Sequence, residues 1–200
     1  MLVIGLTGPT GAGKGEVSKL FRAQGLPVID ADAVYHALLT PPSPCLDELR
    51  ARFGEDILRS DGTLDRPRLG AIVFSDTQAL ADLNAITHRY VMADIKDTLE
   101  ALRTEQTRAV VLDAPQLFEA GANRLCDTVV SVLADPALRA SRIMARDGID
   151  ADAADRRIRA QKSDDYFRSH SDYVIENNAS TEQLAPHVRQ ILLETGGINA

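Results

Sequence analysis

The apolar and polar positions fall into two textures along the chain. Leu2-Val3-Ile4-Gly5-Leu6 is a nearly unbroken apolar run, the pattern of a strand buried on both faces. Val17, Leu20 and Phe21 then form one apolar stripe at helical spacing, and Gly25 is placed to end that helix. Leu26-Pro27-Val28-Ile29 predicts a short second strand leading into Asp30-Ala31-Asp32. Residues 33–39 predict a helix, which Thr40-Pro41-Pro42-Ser43-Pro44 stops. From Leu46 to about Arg103 the spacing stays helical, with no convincing strand. Within that stretch Asp61-Gly62 makes a turn and Asp65 can cap a helix that tolerates an early Pro67. Val91, Ile95, Leu99 and Leu102 line one face of a long helix. Strand texture returns in Ala109–Asp113, in Thr128–Leu133 and, briefly, in Tyr173-Val174-Ile175. A closing helix carries Leu184, Val188, Ile191 and Leu192, and the tail Gly196-Gly197-Ile198-Asn199-Ala200 is expected to fray.

Strands alternating with helices imply an α/β fold with a mostly parallel sheet and right-handed crossovers. About five parallel strands in a three-layer αβα core are expected. The connection between the second and third strands is too long for a plain crossover, and it reads as an inserted helical subdomain over the crevice. On this reading residues 1–32 and 104–200 form the core, 33–103 the insertion, and about 139–165 a short lid.

The chemistry begins between the first strand and the first helix. Gly8-Pro9-Thr10-Gly11-Ala12-Gly13-Lys14-Gly15 fits the GxxxxGK core of a phosphate-binding loop. Glycines let backbone N–H groups turn inward with no Cβ blocking the oxygens, and a lysine reaches the β and γ phosphates. The phosphates would lie on a helix N-terminus, where unbonded N–H groups and the dipole favour anions. A nucleoside triphosphate such as ATP is therefore expected on Gly8, Thr10, Gly11, Ala12, Gly13, Lys14, Gly15 and Glu16. One departure stands out. Ser or Thr usually follows the lysine and touches Mg²⁺ with its hydroxyl, but here Gly15-Glu16 follows. Mg²⁺ must then be held by waters and carboxylates elsewhere, or the site binds nucleotide more than it turns it over; the direct metal ligands are open.

Three further groups bear on the chemistry. Asp30 and Asp32 follow the second strand, and ligands of open α/β sheets bind outside the carboxyl ends of strands. A carboxylate there can orient an acceptor hydroxyl and take its proton; Asp32 can equally cap a helix beginning at Ala33, and the two roles are compatible. Asp113, ending the third strand, can orient Mg²⁺ through water or serve as a turn carboxylate before Pro115. Arg139, Arg142 and Arg146 share a helix face, followed by Arg156, Arg157, Arg159 and Lys162, with Asp147, Asp150, Asp152 and Asp155 interleaved. They read either as a lid closing over the phosphates or as a solvated, salt-bridged helix.

Composition narrows the partners. The 200 residues are 44% hydrophobic, enough for one α/β domain with a real core, and the formal net charge is −7. No run of like charges reaches five, which argues against a nucleic-acid surface or a polybasic membrane patch and favours small-molecule partners. Cys45 and Cys126 form no CxxC pair and have no His at ligand spacing, so neither a disulfide framework nor a zinc site is expected. No apolar run has signal-peptide or transmembrane length, and a cytoplasmic protein is expected.

With these residues in view, the chain resembles the dephospho-coenzyme A kinases across nearly its whole length. The resemblance is carried by Ile4-Gly5-Leu6-Thr7-Gly8, by Ile29-Asp30-Ala31-Asp32, by Phe53-Gly54-Glu55-Asp56-Ile57-Leu58 with Asp61-Gly62, and by Leu64-Asp65-Arg66. It continues through Leu69-Gly70-Ala71-Ile72-Val73-Phe74, Leu83-Asn84-Ala85-Ile86-Thr87-His88, Leu117-Phe118-Glu119, Arg146-Asp147, Gln161, and Val174-Ile175 before Asn177. Many NTPases share the loop; residues 53–88 are far more particular to this family. The resemblance implies ATP-dependent phosphorylation of the ribose 3′-hydroxyl of dephospho-CoA, the last step of coenzyme A synthesis, by a protein built like the nucleoside monophosphate kinases. It implies Asp32 as the base, Lys14 as a phosphate ligand, Arg142 as a lid charge on the transferring phosphate, and His88 near the acceptor, where a partly buried helical histidine is the plainer meaning. A monomer or weak homo-oligomer is expected. Besides Gly15-Glu16, Arg89 stands where proline usually follows the histidine, and Gln116 replaces an apolar residue. A loop ending GKG is reminiscent of adenylate kinases, but their Phe-Pro-Arg acceptor motif is replaced here by Asp113-Ala114-Pro115-Gln116. A kinase for another nucleotide or small metabolite, and a non-catalytic ATP-binding regulatory module, are the alternatives.

Overall fold

The computed structural model describes residues 1–179 and 183–198. In chain order the elements are β1 (Leu2–Thr7), α1 (Lys14–Ala23), β2 (Val28–Asp30), α2 (Ala31–Leu38), α3 (Pro44–Phe53), α4 (Arg66–Val73) and α5 (Thr77–Thr104). They continue with β3 (Ala109–Asp113), β4 (Thr128–Leu133), α6 (Pro136–Asp147), α7 (Ala151–Arg159), α8 (Asp164–His170), β5 (Tyr173–Glu176) and α9 (Leu184–Glu194). The chain divides into two compact units, Met1–Asp30 with Arg103–Ala200, and Ala31–Leu102.

The first unit is built on a five-stranded sheet in the order β2-β3-β1-β4-β5. Every pairing is parallel, with Leu2 opposite Ala109 and, at the other end, Leu6 opposite Asp113. Parallel strands covered on both faces need apolar side chains on both, which is why β1, β3 and β4 read as continuous apolar runs rather than as alternation. On one face Val17 and Phe21 of α1 and Leu184, Val188, Ile191 and Leu192 of α9 pack on Ile4, Leu6, Val111, Val130, Val132 and Ile175. Val3, Val110, Leu112 and Leu133, which alternate with these, are buried as well. Each such side chain stabilises the fold by about 1.5–3 kcal/mol, against ~1–2 kcal/mol for ordering one residue's backbone, so the central strands are where the unit holds hardest.

The tail departs from expectation. Gly197 N–H donates to the Leu192 carbonyl at 2.8 Å, Arg108 Nε donates to the Gly196 carbonyl at 3.0 Å, and Ile198 packs against the core. These bonds and the apolar contact hold residues 196–198 against the end of α9; Asn199 and Ala200 lie outside the described residues.

The second unit is helical. Its core gathers Leu39, Cys45, Leu46, Leu49, Ile57, Leu64, Leu69, Val73 and Ala79. Ser43 caps α3 by accepting from Leu46 N–H at 3.3 Å, with Pro44 in the first turn where its missing N–H costs nothing. Asp65 caps α4 in the same way through Arg68 N–H at 3.1 Å. The Asp61-Gly62 turn forms as the spacing predicts: the Asp61 carboxylate accepts from the Thr63 hydroxyl at 2.6 Å and its N–H at 3.0 Å, and those bonds hold its carboxyl below the usual range. Ile95 and Leu99 of the 28-residue α5 are buried. No helix among the described residues is long and apolar enough to cross a membrane.

Two boundaries moved. The second strand is Val28–Asp30 rather than residues 26–29, because Val28, Ile29 and Asp30 pair in register with Val111, Leu112 and Asp113. Helix α2 follows at once from Ala31, so Asp32 is not the cap of a helix starting at Ala33 but an acid inside the first turn. There it favours the helix N-terminus through the dipole.

Candidate active site

The turn from β1 into α1 is made by residues 8–13, closed by Ala12 N–H donating to the Pro9 carbonyl at 3.2 Å. Gly13 stands before α1 with φ 92°, in the left-handed region, and a Cβ there would run into Asn177 Nδ2. Gly11 has φ 78°, and a Cβ there would lie 2.7 Å from the Arg139 carbonyl. Only glycine satisfies both the backbone and the space at these positions. Lys14 opens α1, whose first N–H groups have no carbonyl one turn earlier to bond within the helix.

The outward side of the loop is held by side chains from distant elements. Arg139 Nε donates to the Thr10 carbonyl at 3.0 Å; Arg142 Nη1 donates to the Gly11 and Ala12 carbonyls at 3.2 and 3.3 Å. Asn177 Nδ2 donates to the Ala12 carbonyl at 2.7 Å, and Arg142 Nη2 to the Asn177 carbonyl at 3.1 Å. Three successive loop carbonyls are thus drawn to one side by cationic and amide donors. Gln161 Oε1 accepts from Thr10 N–H at 2.8 Å, and Arg146 Nη2 reaches Thr10 Oγ1 at 3.5 Å. The face of α6 that carries Arg139, Arg142 and Arg146 therefore runs along the loop.

Arg139 is buried, its side chain only 3% exposed, and it ion-pairs with Asp164 at 3.0 Å. Burial pulls its pKa down while the Asp164 charge acts the other way. A solvated, salt-bridged face does not describe this residue. It does describe the far end of α6, where Asp147 accepts from Arg146 Nε at 2.7 Å and also pairs with Arg157. Those two guanidiniums, Arg146 first, hold the Asp147 carboxyl below its ordinary value.

On the inner side Lys14 Nζ pairs with the Asp113 carboxylate, their side chains 18% and 7% exposed. Asp30 ends β2 directly opposite Asp113 in the register. The Lys14–Asp113 pair and Asp30 thus stand at the carboxyl ends of neighbouring strands, where open α/β sheets take their ligands. Among the described residues no group of three or more His, Cys, Asp and Glu is arranged to hold a metal ion. The donor set of carboxylate oxygens still fits Mg²⁺, a hard cation that keeps several waters and takes phosphate oxygens rather than a full protein cage.

The remaining sequence candidates are placed as follows. Gly15 has open space around it, with nothing within 4 Å of an added Cβ. The Glu16 carboxylate is taken by Lys19 Nζ at 2.7 Å, both side chains well exposed, and its N–H donates to the Gly13 carbonyl at 3.0 Å. Asp32 and His88 belong to the second unit, Asp32 exposed on α2 and His88 half-buried in α5. Sequence reasoning assigned no role to Asn177 or Gln161, although Asn177 follows a strand at its carboxyl end, the position where loop-facing groups gather.

A phosphate loop held by side chains from α6 and from the residue just past β5, and an all-parallel sheet in this order, invite comparison with known proteins. The family model described as dephospho-CoA kinase matches residues 2–183. The dephospho-CoA kinase of Anaeromyxobacter dehalogenans is 40% identical over 197 residues, covering 98% of this chain and 93% of that protein. Among solved structures, a Thermus thermophilus protein is 32% identical with TM-score 0.81, covering 96% of this chain and 97% of that one. The dephospho-CoA kinase from Campylobacter jejuni is 25% identical with TM-score 0.73, covering 98% of both chains. Similarity of this extent reaches from the loop through the helical unit to the last strand, and the chain belongs to the dephospho-CoA kinase family.

Proposed function

We propose that the enzyme transfers the γ-phosphoryl group of ATP directly to the ribose 3′-hydroxyl of dephospho-CoA, giving coenzyme A and ADP. The first unit takes the donor and the second the acceptor. The observation that carries the donor half is the Lys14–Asp113 pair at the head of α1, beside a loop whose carbonyls are engaged by Arg139, Arg142 and Asn177. Turning those carbonyls away from the anion leaves the loop's electropositive side for phosphate oxygens. Lys14 exchanges Asp113 for the β and γ phosphates, and Arg142 would leave the Gly11, Ala12 and Asn177 carbonyls to set its charge beside the transferring group.

On the acceptor side Asp32 orients the 3′-hydroxyl and receives its proton as the O3′–P bond forms and the bond from phosphorus to the bridging oxygen of ADP breaks. His88 is assigned to acceptor binding. Asp113 and Asp30 would hold Mg²⁺ through its water shell, where the ion offsets charge on the phosphates. The same reading takes the protein as a cytoplasmic monomer or weak homo-oligomer acting on small molecules, in keeping with its net charge of −7.

Asp32→Asn tests the base. It should lower turnover by ~10²-fold or more while ATP binding stays within about twofold. Wild-type turnover in that variant would remove Asp32 from the role.

A further inference from the structure

On α2, Asp32, Tyr35 and His36 lie at i, i+3 and i+4, so their side chains leave the helix on one face. Arg66, at the start of α4, brings Nη2 to 2.6 Å from His36 Nδ1, and its guanidinium stands 5.9 Å from the centre of the Tyr35 ring. A guanidinium only donates, so Nδ1 accepts and the ring proton sits on Nε2, on the opposite side of the imidazole. The bond fixes both groups without neutralising the arginine, since its acceptor is an uncharged nitrogen and its other neighbour an aromatic ring. One ring nitrogen also satisfies only one of the five guanidinium donors. Burial raises the Tyr35 phenol while the Arg66 charge pulls it back, which marks the same charge from a second side. Arg66 and His36 are both exposed, and a tie between exposed side chains contributes little to stability, so holding α2 to α4 is a poor account of the cluster.

We propose that Arg66 and His36, steadied by Tyr35, form an anion subsite that takes the diphosphate of dephospho-CoA. Its place follows from the helix. Asp32 and His36 are about one turn apart, ~6 Å along the axis, a length comparable to the ribose that separates a 3′-hydroxyl from a 5′-diphosphate. The fork of Arg66 matches phosphate oxygens, and His36 Nε2–H supplies a neutral donor beside it. The assignment deepens the acceptor reading above and rests on it.

The test is steady-state kinetics on Arg66→Ala, Arg66→Lys and His36→Gln, with KM measured separately for dephospho-CoA and ATP, and thermal unfolding recorded for each. Arg66→Ala should raise KM for dephospho-CoA by ~10- to 100-fold and leave KM for ATP within about twofold. Arg66→Lys should recover part of the loss, because it keeps the charge and loses the fork. Inorganic pyrophosphate should compete with dephospho-CoA in the wild type and lose that competition in Arg66→Ala. If Arg66→Ala does not fold, Arg66→Lys and the pyrophosphate competition in the wild type carry the test. A folded Arg66→Ala with unchanged KM for dephospho-CoA overturns the subsite, as does wild-type protein on which pyrophosphate does not compete. The base assignment fails separately, through turnover retained in Asp32→Asn.

Discussion

Asn177 Nδ2 donates to the Ala12 carbonyl at 2.7 Å, tying the residue just past β5 to the middle of the phosphate loop across 165 positions of sequence. The amide is buried, and Arg142 Nη1 shares the same carbonyl at 3.3 Å. Asn177→Ala removes one of two donors, so the carbonyl keeps a partner and the loss stays near the worth of one hydrogen bond, about 1 kcal/mol. ATP should bind roughly fivefold more weakly with the fold intact, read by nucleotide titration alongside circular dichroism. Unchanged ATP affinity would mean that the bond does not shape the loop.

Two glycines two residues apart should behave oppositely. A side chain at Gly13 meets Asn177 and a left-handed backbone, whereas Gly15 sits in the first turn of α1 with open space around it. Gly13→Ala should cost over ~1 kcal/mol of stability and weaken ATP binding. Gly15→Ser should be neutral to stabilising by up to ~0.5 kcal/mol, since a helical glycine is conformationally expensive. Thermal unfolding checks both; a marked loss in Gly15→Ser would contradict the open space.

Cys126 packs against Gly5, and burial, helped by the Asp127 charge, pushes its thiol up to about 12. Burial likewise raises Cys45 to about 11. Both thiols are therefore protonated at pH 8, with the thiolate appearing only as pH rises toward those values. Alkylation followed by mass spectrometry should label neither in the folded protein at pH 8 and both after denaturation. Rapid native labelling of the partly buried Cys126 would contradict its protonated state at pH 8.

Much of this was legible in sequence because it is local. The loop, the strands β1, β3 and β4 and the stripe of α9 are written in consecutive or periodic residues. The start of the helix that carries Asp32 was misread by two residues, because the register of Asp30 with Asp113 decides where β2 ends and α2 begins, and register is a tertiary fact. Arg139 read as one of three lid arginines, but its partners Asp164, Gln161 and Thr10 lie 25, 22 and 129 positions away. No periodicity reveals that a helical arginine is buried by such distant groups. The tail was expected to fray for want of visible partners, and Arg108 supplies one from 88 positions earlier in the chain.

The central claim is tested most directly by ADP release from Mg-ATP with the purified wild-type protein, comparing dephospho-CoA, AMP, CMP and no acceptor in parallel. Release that depends on dephospho-CoA, with product phosphorylated at the 3′ position, is the predicted result, and it would show that Gly15 is tolerated in the loop. Release with AMP or CMP in its place, or none from any acceptor while ATP still binds, would contradict the account.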